Sequence, residues 1–197
     1  MPGHSSEVAA AWAHDSLPQA VKILIAGGFG SGKTTLVGAI SEILPFHTEE
    51  NLTLSGVGVD DTAGVEQKST TTVAMDFGKL TLNDRLAVFL FGTPGQDRFW
   101  FMWDELAAGA LCAVVLADTR RLAACFPSVD YFEQRGIPFL VAVNCFEGSR
   151  RYPTETVRTA LALDERIPVV LCDVRQPDSV KYVLTTAVEH VLAVASA

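Results

Sequence analysis

The sequence predicts an α/β fold with a mostly parallel six-stranded sheet and about five flanking helices. Two observations favour this class: short apolar runs alternate with amphipathic stretches, and four of the six runs are apolar without alternation. Strands that are buried on both faces have continuous apolar sequences. Alternating strands and helices are typical of a parallel sheet covered by helices on both faces.

The predicted elements follow one another in a regular order. The strands are each four to eight residues long and cover 21–26, 71–77, 86–91, 111–117, 139–143 and 168–171. The helices cover about 33–44, 98–108, 120–135, 153–164 and 177–195. The segment 45–69 shows no clear period, and a stretch of that length is usually functional or disordered.

The length of 197 residues and the 49% of hydrophobic residues predict one domain with a substantial core. We expect this domain to cover residues 20–197. Residues 1–19 show no sustained period and are expected to form a flexible N-terminal tail.

The formal net charge of −8 argues against nucleic acid or anionic lipid as a partner, because both favour clusters of Lys and Arg. No apolar stretch reaches the ~18 to 20 residues that span a bilayer, and neither end carries a lipidation signal. We therefore expect a cytoplasmic protein without direct membrane insertion, which reaches a membrane only through partners. The four cysteines lack metal-ligand spacing, and three of them follow or lie in apolar runs, which predicts small buried side chains.

The most specific motif follows the first predicted strand. It matches G-x-x-x-x-G-K-[ST] in full and consists of Gly27, Gly28, Phe29, Gly30, Ser31, Gly32, Lys33 and Thr34, with Thr35 continuing into a helical pattern. Such a loop cradles phosphates with its backbone amides at a helix N-terminus. We expect Lys33 to reach the outer phosphates of a nucleoside triphosphate and Thr34 to coordinate Mg²⁺.

A second motif, Gly-Thr-Pro-Gly-Gln at 92–96, follows the strand 86–91. Here the chain resembles small GTPases of the Ras and Arf type, whose third motif is D-x-x-G-Q. The resemblance implies that the Gly95 amide senses the γ-phosphate and that Gln96 orients the attacking water, so Gln96 and Lys33 are the expected catalytic residues. Gly92 stands where the family has an aspartate that holds the metal through water. Mg²⁺ binding is then either weaker or supported by another group.

The same resemblance places the first switch at about 46–72. In the family, one threonine of this switch closes over the γ-phosphate and Mg²⁺. Thr70, Thr71 and Thr72 are the candidates for this metal contact, and the sequence does not choose among them. For any single one of them, a simple role at the start of a β-strand is the alternative.

The guanine motif N-K-x-D of the family is represented only by Asn144 and Glu147, with Cys145 in place of the stacking lysine. Glu147 retains a carboxylate that accepts hydrogen bonds from guanine. The alignment further implies that the Val174 amide meets guanine O6 and that Arg175 covers the base. GTP and GDP are therefore the expected ligands, with Mg²⁺ as cofactor.

Over about residues 20–195 the chain looks most like the bacterial small GTPases of actinobacterial conservon operons, relatives of the gliding-polarity GTPases. The resemblance implies a GTP/GDP-controlled switch, a roadblock/LC7-type regulator and a membrane-bound sensor complex as partners. No arginine precedes Arg85, so the first switch supplies no arginine finger, and slow hydrolysis is expected. The alternatives are a nucleotide-loaded adaptor with little or no hydrolysis and an ATP-using P-loop enzyme.

The aromatic run at 99–103, FWFMW, cannot turn all its side chains inward on one helix. We expect Trp103 to face the core and one or two of the others to be exposed as a contact surface for partners.

Overall fold

The computed structural model describes residues 19–44, 46–53, 70–95 and 101–196, and for 46–53 and 70–74 it describes the backbone alone. The predicted tail therefore lies outside the described residues, except that Gln19 already begins the first strand. The strands are β1 Gln19–Gly27, β2 Phe46–Thr53, β3 Thr70–Asn83, β4 Leu86–Gly92, β5 Cys112–Ala117, β6 Phe139–Asn144 and β7 Val169–Cys172.

These strands form one sheet in the order β2-β3-β4-β1-β5-β6-β7. Strand β1 pairs in parallel with β4 and β5, and β5-β6 and β6-β7 are also parallel pairs. The pairs β2-β3 and β3-β4 are antiparallel. The mostly parallel α/β sheet predicted from the sequence is confirmed.

The sheet of the described residues has one strand more than the six predicted, and all six predicted strands are present in it. The additional strand is β2, which lies in the segment 45–69 and pairs with β3 from Phe46↔Phe77 to Thr53↔Thr70. It is an edge strand with the polar sequence FHTEENLT. Backbone pairing on one side is sufficient to place such a strand, so it needs no continuous apolar run.

The α-helices are α1 Lys33–Ile40, α2 Trp103–Ala107, α3 Phe126–Arg135, α4 Thr154–Ala160 and α5 Pro177–Ala195. A 3-10 helix, Thr119–Cys125, directly precedes α3, so the helix predicted at 120–135 is divided in two. Pro127 lies in the first turn of α3, where its missing N–H costs nothing. Helix α1 ends four residues earlier than predicted, because Ser41 adopts an extended backbone.

The helices cover both faces of the sheet. Alternate residues of β1 point to opposite sides, as the two-residue period of a strand requires. Ile23 and Ile25 pack in the core cluster that includes buried residues of α1 and α5. Leu24 and Ala26 belong to the opposite cluster, with residues of α2, α3 and α4. Because β4, β1, β5 and β6 run parallel, their carboxyl ends reach the same edge of the sheet, where their connecting loops meet.

The aromatic run behaves as predicted where it is described. Trp103 is only 2% exposed and packs against Tyr131 and Phe132, with ring centroids 4.9 Å and 5.8 Å away. Phe101 is 59% exposed. Residues 99 and 100 lie outside the described part of the chain.

The cysteines also match the expectation of buried thiols in three cases. Cys112, Cys125 and Cys172 are buried, Cys145 is half-buried, and all four are free. Burial raises the pKa of the Cys112 thiol to about 12. Within the described ranges, no helix combines the length and the apolar sequence needed to cross a membrane.

Candidate functional site

The glycine-rich motif forms the turn between β1 and α1 at the carboxyl edge of the sheet. Strand β1 ends at Gly27, and α1 begins at Lys33 with Gly32 as its N-cap, at φ +107 and without a side-chain cap. The Ser31 N–H donates to the Gly28 carbonyl at 3.2 Å and closes the turn. The strand, turn and helix that the phosphate-loop motif requires are therefore present, and the first amides of a helix have no acceptor within that helix.

Lys33 lies along this turn. Its Nζ donates to the carbonyl oxygens of Gly27 and Gly28, both at 2.9 Å. Burial lowers the pKa of Lys33 to about 8, and the nearby Asp76 carboxylate raises it only in part. Gly95 lies against the same side chain, since a Cβ built on Gly95 would stand 2.7 Å from Lys33 Nζ. The lysine thus lies between the phosphate loop and the segment that follows β4.

Asp76 provides a carboxylate that the sequence analysis did not identify. The Thr34 hydroxyl donates to Asp76 Oδ2 at 2.7 Å. Asp76 lies on β3 directly opposite Gly92 on β4. A Cβ built on Gly92 would stand 2.9 Å from the Cβ of Asp76 and 3.0 Å from its Oδ2. Asp76 therefore occupies the space that a side chain at position 92 would need.

This arrangement fits a magnesium ion. Hydroxyl and carboxylate oxygens are the donors that Mg²⁺ prefers, usually together with nucleotide phosphates. Thr34 and Asp76 would hold the ion, and the ion would neutralise charge on the outer phosphates. Asp76 could have been found in the sequence as a charged residue inside a strand pattern, directly across a tight hairpin from Gly92.

The other predicted residues around the phosphates are described only in part. Gln96 lies outside the described residues. Thr70, Thr71 and Thr72 lie in β3, where they pair with Thr53, Leu52 and Asn51 of β2, and their side chains are not described. Along an extended strand, four residues separate Thr72 from Asp76 by about 13 Å. The metal contact of a switch threonine stays a prediction.

Asn144 connects the phosphate loop to the opposite end of the site. It ends β6 and is 3% exposed. Its Nδ2 donates to the Ser31 carbonyl at 3.0 Å, and its Oδ1 accepts from the Val174 N–H at 3.4 Å. Thus Asn144 ties the two loops after β6 and β7 to the phosphate loop, and the predicted contacts of Asn144 and Val174 to the base stay predictions.

Glu147 and Arg175 lie side by side at this end. Arg175 Nη1 is 3.5 Å from Glu147 Oε2, and the Glu147 side chain is 89% exposed. Asp173 holds Arg175 through two hydrogen bonds, Nε to Oδ1 at 2.9 Å and Nη2 to Oδ2 at 2.8 Å. These bonds lower the pKa of Asp173 to about 2. Both predicted base contacts are therefore accessible from solvent.

A segment that the sequence analysis did not single out lies beside these loops. Asp118 follows β5 and accepts two side-chain hydrogen bonds from Arg120, whose guanidinium stacks 3.9 Å from the centroid of the Phe146 ring. The next arginine, Arg121, donates from Nη2 to the Phe29 carbonyl at 2.9 Å. Asp118 and its arginines thus contact both the phosphate loop and the loop that carries Glu147.

Comparison with protein families agrees with this geometry. Residues 25–194 match the model of ATP_bind_1, described as a conserved hypothetical ATP binding protein. The chain belongs to this family. It is also 32% identical, over 126 residues, to an uncharacterized protein of Methanocaldococcus jannaschii, a match that covers 63% of this chain and 69% of the relative.

Solved structures with the same fold include G domains. The G domain of the T. maritima FeoB iron transporter has a TM-score of 0.60 at 18% identity, covering 87% of this chain and 99% of that one. The cytosolic domain of the same transporter in a GDP form has a TM-score of 0.62 at 16% identity, covering 89% and 65%. The FeoB G-domain from Methanococcus jannaschii has a TM-score of 0.57 at 14% identity, covering 87% and 99%. This member of the ATP-binding family is therefore a nucleotide-binding P-loop protein with a small-GTPase fold.

Proposed function

We propose that this chain is a GTP-binding molecular switch that hydrolyses GTP to GDP slowly. The observation that carries the proposal is the position of Asn144, which ties the phosphate loop to the turn of Val174 at the end where Glu147 and Arg175 lie. A base held at this turn has a fixed distance to phosphates held at Lys33. We therefore expect the site to bind both the base and the phosphates of one nucleotide.

Guanine fits the charges at the base end better than adenine does. Guanine presents an N1–H and an amino group, and a carboxylate such as that of Glu147 accepts hydrogen bonds from both. The corresponding edge of adenine presents a ring nitrogen that accepts, which a carboxylate repels. A site that hydrogen-bonds one base discriminates against a base that leaves its polar groups unpaired.

The phosphate end supports hydrolysis with modest catalytic power. Lys33 supplies positive charge to the outer phosphates, and Thr34 with Asp76 would hold Mg²⁺. We assign the orientation of the attacking water to Gln96. We expect intrinsic turnover on the order of 10⁻³ per second or less, as in unassisted small GTPases.

Gly95 gives the switch its physical basis. It lies beside Lys33 and the Phe29 amide. A Cβ built on Gly95 would stand 3.1 Å from the Phe29 amide nitrogen. A γ-phosphate bound to Lys33 requires space and a donor at this place. A bound triphosphate therefore contacts the segment after β4 and a diphosphate does not, so hydrolysis releases this segment.

We further propose that the protein belongs with the conservon-type GTPases and signals in the cytoplasm through a roadblock/LC7-type regulator and a membrane-bound sensor complex. The exposed Phe101, six residues after Gly95 in the sequence, supports a protein contact on this part of the chain. Co-purification of the full chain with the candidate regulator, in GTP-loaded and GDP-loaded forms, tests this part. A Phe101→Asp variant that binds the regulator as well as the wild type contradicts it.

The second candidate is an ATP-using enzyme, which the description of the family favours. Titration of the purified full chain with GTP, GDP and ATP, with and without Mg²⁺, decides between the two. We expect GTP to bind at least about tenfold more tightly than ATP. Equal or tighter binding of ATP refutes the guanine assignment.

Two variants sharpen this experiment. Glu147→Gln should reduce the preference for GTP over ATP, whereas Glu155→Gln, an exposed glutamate of α4 paired with Arg158, should not. Single-turnover hydrolysis completes the test. Tight GTP binding without any turnover would establish the nucleotide-loaded adaptor instead.

A further inference from the structure

The 3-10 helix Thr119–Cys125 packs directly on the phosphate loop. A Cβ built on Gly28 would stand 2.6 Å from the Cβ of Ala124, so a side chain at position 28 would push the two segments apart. A small cavity between them is lined by residues of both, including Ser31, Asp118 and Arg121. The phosphate loop therefore packs against this helix.

Asp118 organises the start of this helix. It is 5% exposed, and its Oδ1 accepts from the Arg120 backbone N–H at 3.0 Å and from Arg120 Nε at 2.9 Å. The Arg121 Nη2 lies 3.8 Å from Asp118 Oδ2. Arg121 itself departs from helical backbone, at φ −145 and ψ 50, within the 3-10 helix. The kink and the carboxylate hold the guanidinium at the phosphate loop.

Arg121 binds the peptide unit between Phe29 and Gly30 of that loop. Its Nη2 donates to the Phe29 carbonyl at 2.9 Å, while the Phe29 amide nitrogen lies on the side of Gly95. The described residues contain no cis peptide bond. In a trans peptide the N–H points opposite to the C=O. The Gly30 N–H, which shares the peptide with the Phe29 carbonyl, therefore points away from Arg121.

We propose that Arg121, held by Asp118, is a positioning residue that fixes the Phe29–Gly30 peptide so that the Gly30 N–H donates to a bound phosphate. A charged donor on a carbonyl polarises the peptide and strengthens its N–H as a donor. This inference rests on the proposed nucleotide binding. The guanidinium acts through the loop and does not contact the phosphates, which distinguishes it from an arginine finger.

The test uses the full chain and fluorescent derivatives of GDP and of a non-hydrolysable GTP analogue. Arg121→Ala should weaken binding of both nucleotides about tenfold, because the loop amides hold phosphates that both nucleotides share. Arg121→Lys, which keeps a charged donor, should recover part of the affinity. Arg121→Met, which keeps only the aliphatic stem, should not.

Arg166→Ala is the matched control. Like Arg121, Arg166 is an exposed arginine beside a nearby aspartate: it pairs with Asp164 through two side-chain hydrogen bonds, and the described part of the chain shows no contact between it and the phosphate loop. This variant should bind both nucleotides as the wild type does. The amide resonance of Gly30 in the GDP complex should shift in Arg121→Ala and stay unchanged in Arg166→Ala.

Four outcomes would overturn parts of this account. If the wild type binds neither GTP nor ATP, the proposed function fails and the inference fails with it. If the wild type binds but Arg121→Ala binds equally well, only the inference fails. Unchanged binding with lost turnover would make Arg121 an internal finger. A lowered melting temperature with no recovery in Arg121→Lys would reduce Arg121 to a structural role.

Discussion

The pairing of Asp76 with Gly92 allows a relocation experiment within one hairpin. The two positions face each other across β3 and β4, and a Cβ at 92 would stand 2.9 Å from the Cβ of Asp76. Only one of the two positions can carry a side chain. The change to make is Asp76→Gly together with Gly92→Asp, which moves the carboxylate across the hairpin while keeping the composition constant.

The magnitudes follow from the contacts. Asp76→Gly removes the acceptor of the 2.7 Å bond from Thr34, and loss of a partner that orients a metal ligand typically costs about 10- to 100-fold in metal affinity. Gly92→Asp alone places two carbon atoms at sub-van der Waals distance and two carboxylates side by side, a destabilisation of about 1–3 kcal/mol. The double variant removes both problems and should recover most of the metal affinity. Because the wild type already carries a glycine at position 92 of β4, the exchange leaves the number of strand glycines unchanged.

The assay is the ratio of GTP affinities measured with Mg²⁺ and with a chelator. Asp76→Gly should lower this ratio while leaving the affinity in chelator almost unchanged. Asp84→Gly, in the exposed turn of the same hairpin, is the control and should leave the ratio at the wild-type value. A full magnesium effect in Asp76→Gly would refute the assignment. So would a folded double variant that recovers nothing.

Two further predictions concern Lys33 and Trp103. Because burial lowers the pKa of Lys33 to about 8 and bound phosphates raise it, nucleotide binding should take up more protons at pH 8.5 than at pH 7.5, and affinity should fall as pH rises above 8. Calorimetry in buffers of different ionisation enthalpy measures this uptake, and equal values at both pH would contradict it. Trp103→Ala should cost about 3–5 kcal/mol of unfolding free energy, whereas Phe101→Ala, two residues away and exposed, should change it by less than about 0.5 kcal/mol in denaturant titrations. Similar losses in the two variants would show that the burial is wrongly assigned.

The sequence was sufficient for the elements whose signal is local. Buried parallel strands are continuous apolar runs, and the strand, glycine-rich turn and helix of the phosphate loop appear in one stretch of the chain. Strand β2 has no such signal, because its place at the edge depends on backbone pairing with β3. The division of the helix at 120–135 had a local sign in Pro127, but periodicity alone does not separate a 3-10 turn from an α-helix.

The missed site residues depend on contacts that periodicity does not report. Asp76 matters because of its register with Gly92, which depends on a β-bulge between Thr81 and Asn83 near the hairpin turn. Arg121 matters because of a backbone kink that turns its side chain toward a loop 92 residues earlier. Both are polar residues at ordinary positions for a strand and a helix start. Only their neighbours in space make them candidates for the site.

Asp76 also changes how Gly92 should be understood. From the sequence, a glycine in place of the family's aspartate is a lost metal partner, and this loss together with the altered base motif supports an adaptor that hydrolyses little or nothing. In the structure the carboxylate lies on the neighbouring strand and accepts a hydrogen bond from the Thr34 hydroxyl. Its side chain fills the space that a side chain at position 92 would occupy. Gly92 is then required by Asp76, because any larger residue would displace the carboxylate. What remains in favour of the adaptor is Cys145 in the base motif, which affects the choice and stacking of the base and not the phosphate chemistry.

The relocation experiment therefore tests the metal site. With single-turnover hydrolysis measured on the same variants, it also separates the switch from the adaptor. If turnover falls with Asp76→Gly and returns in the double variant, the carboxylate serves hydrolysis from either strand.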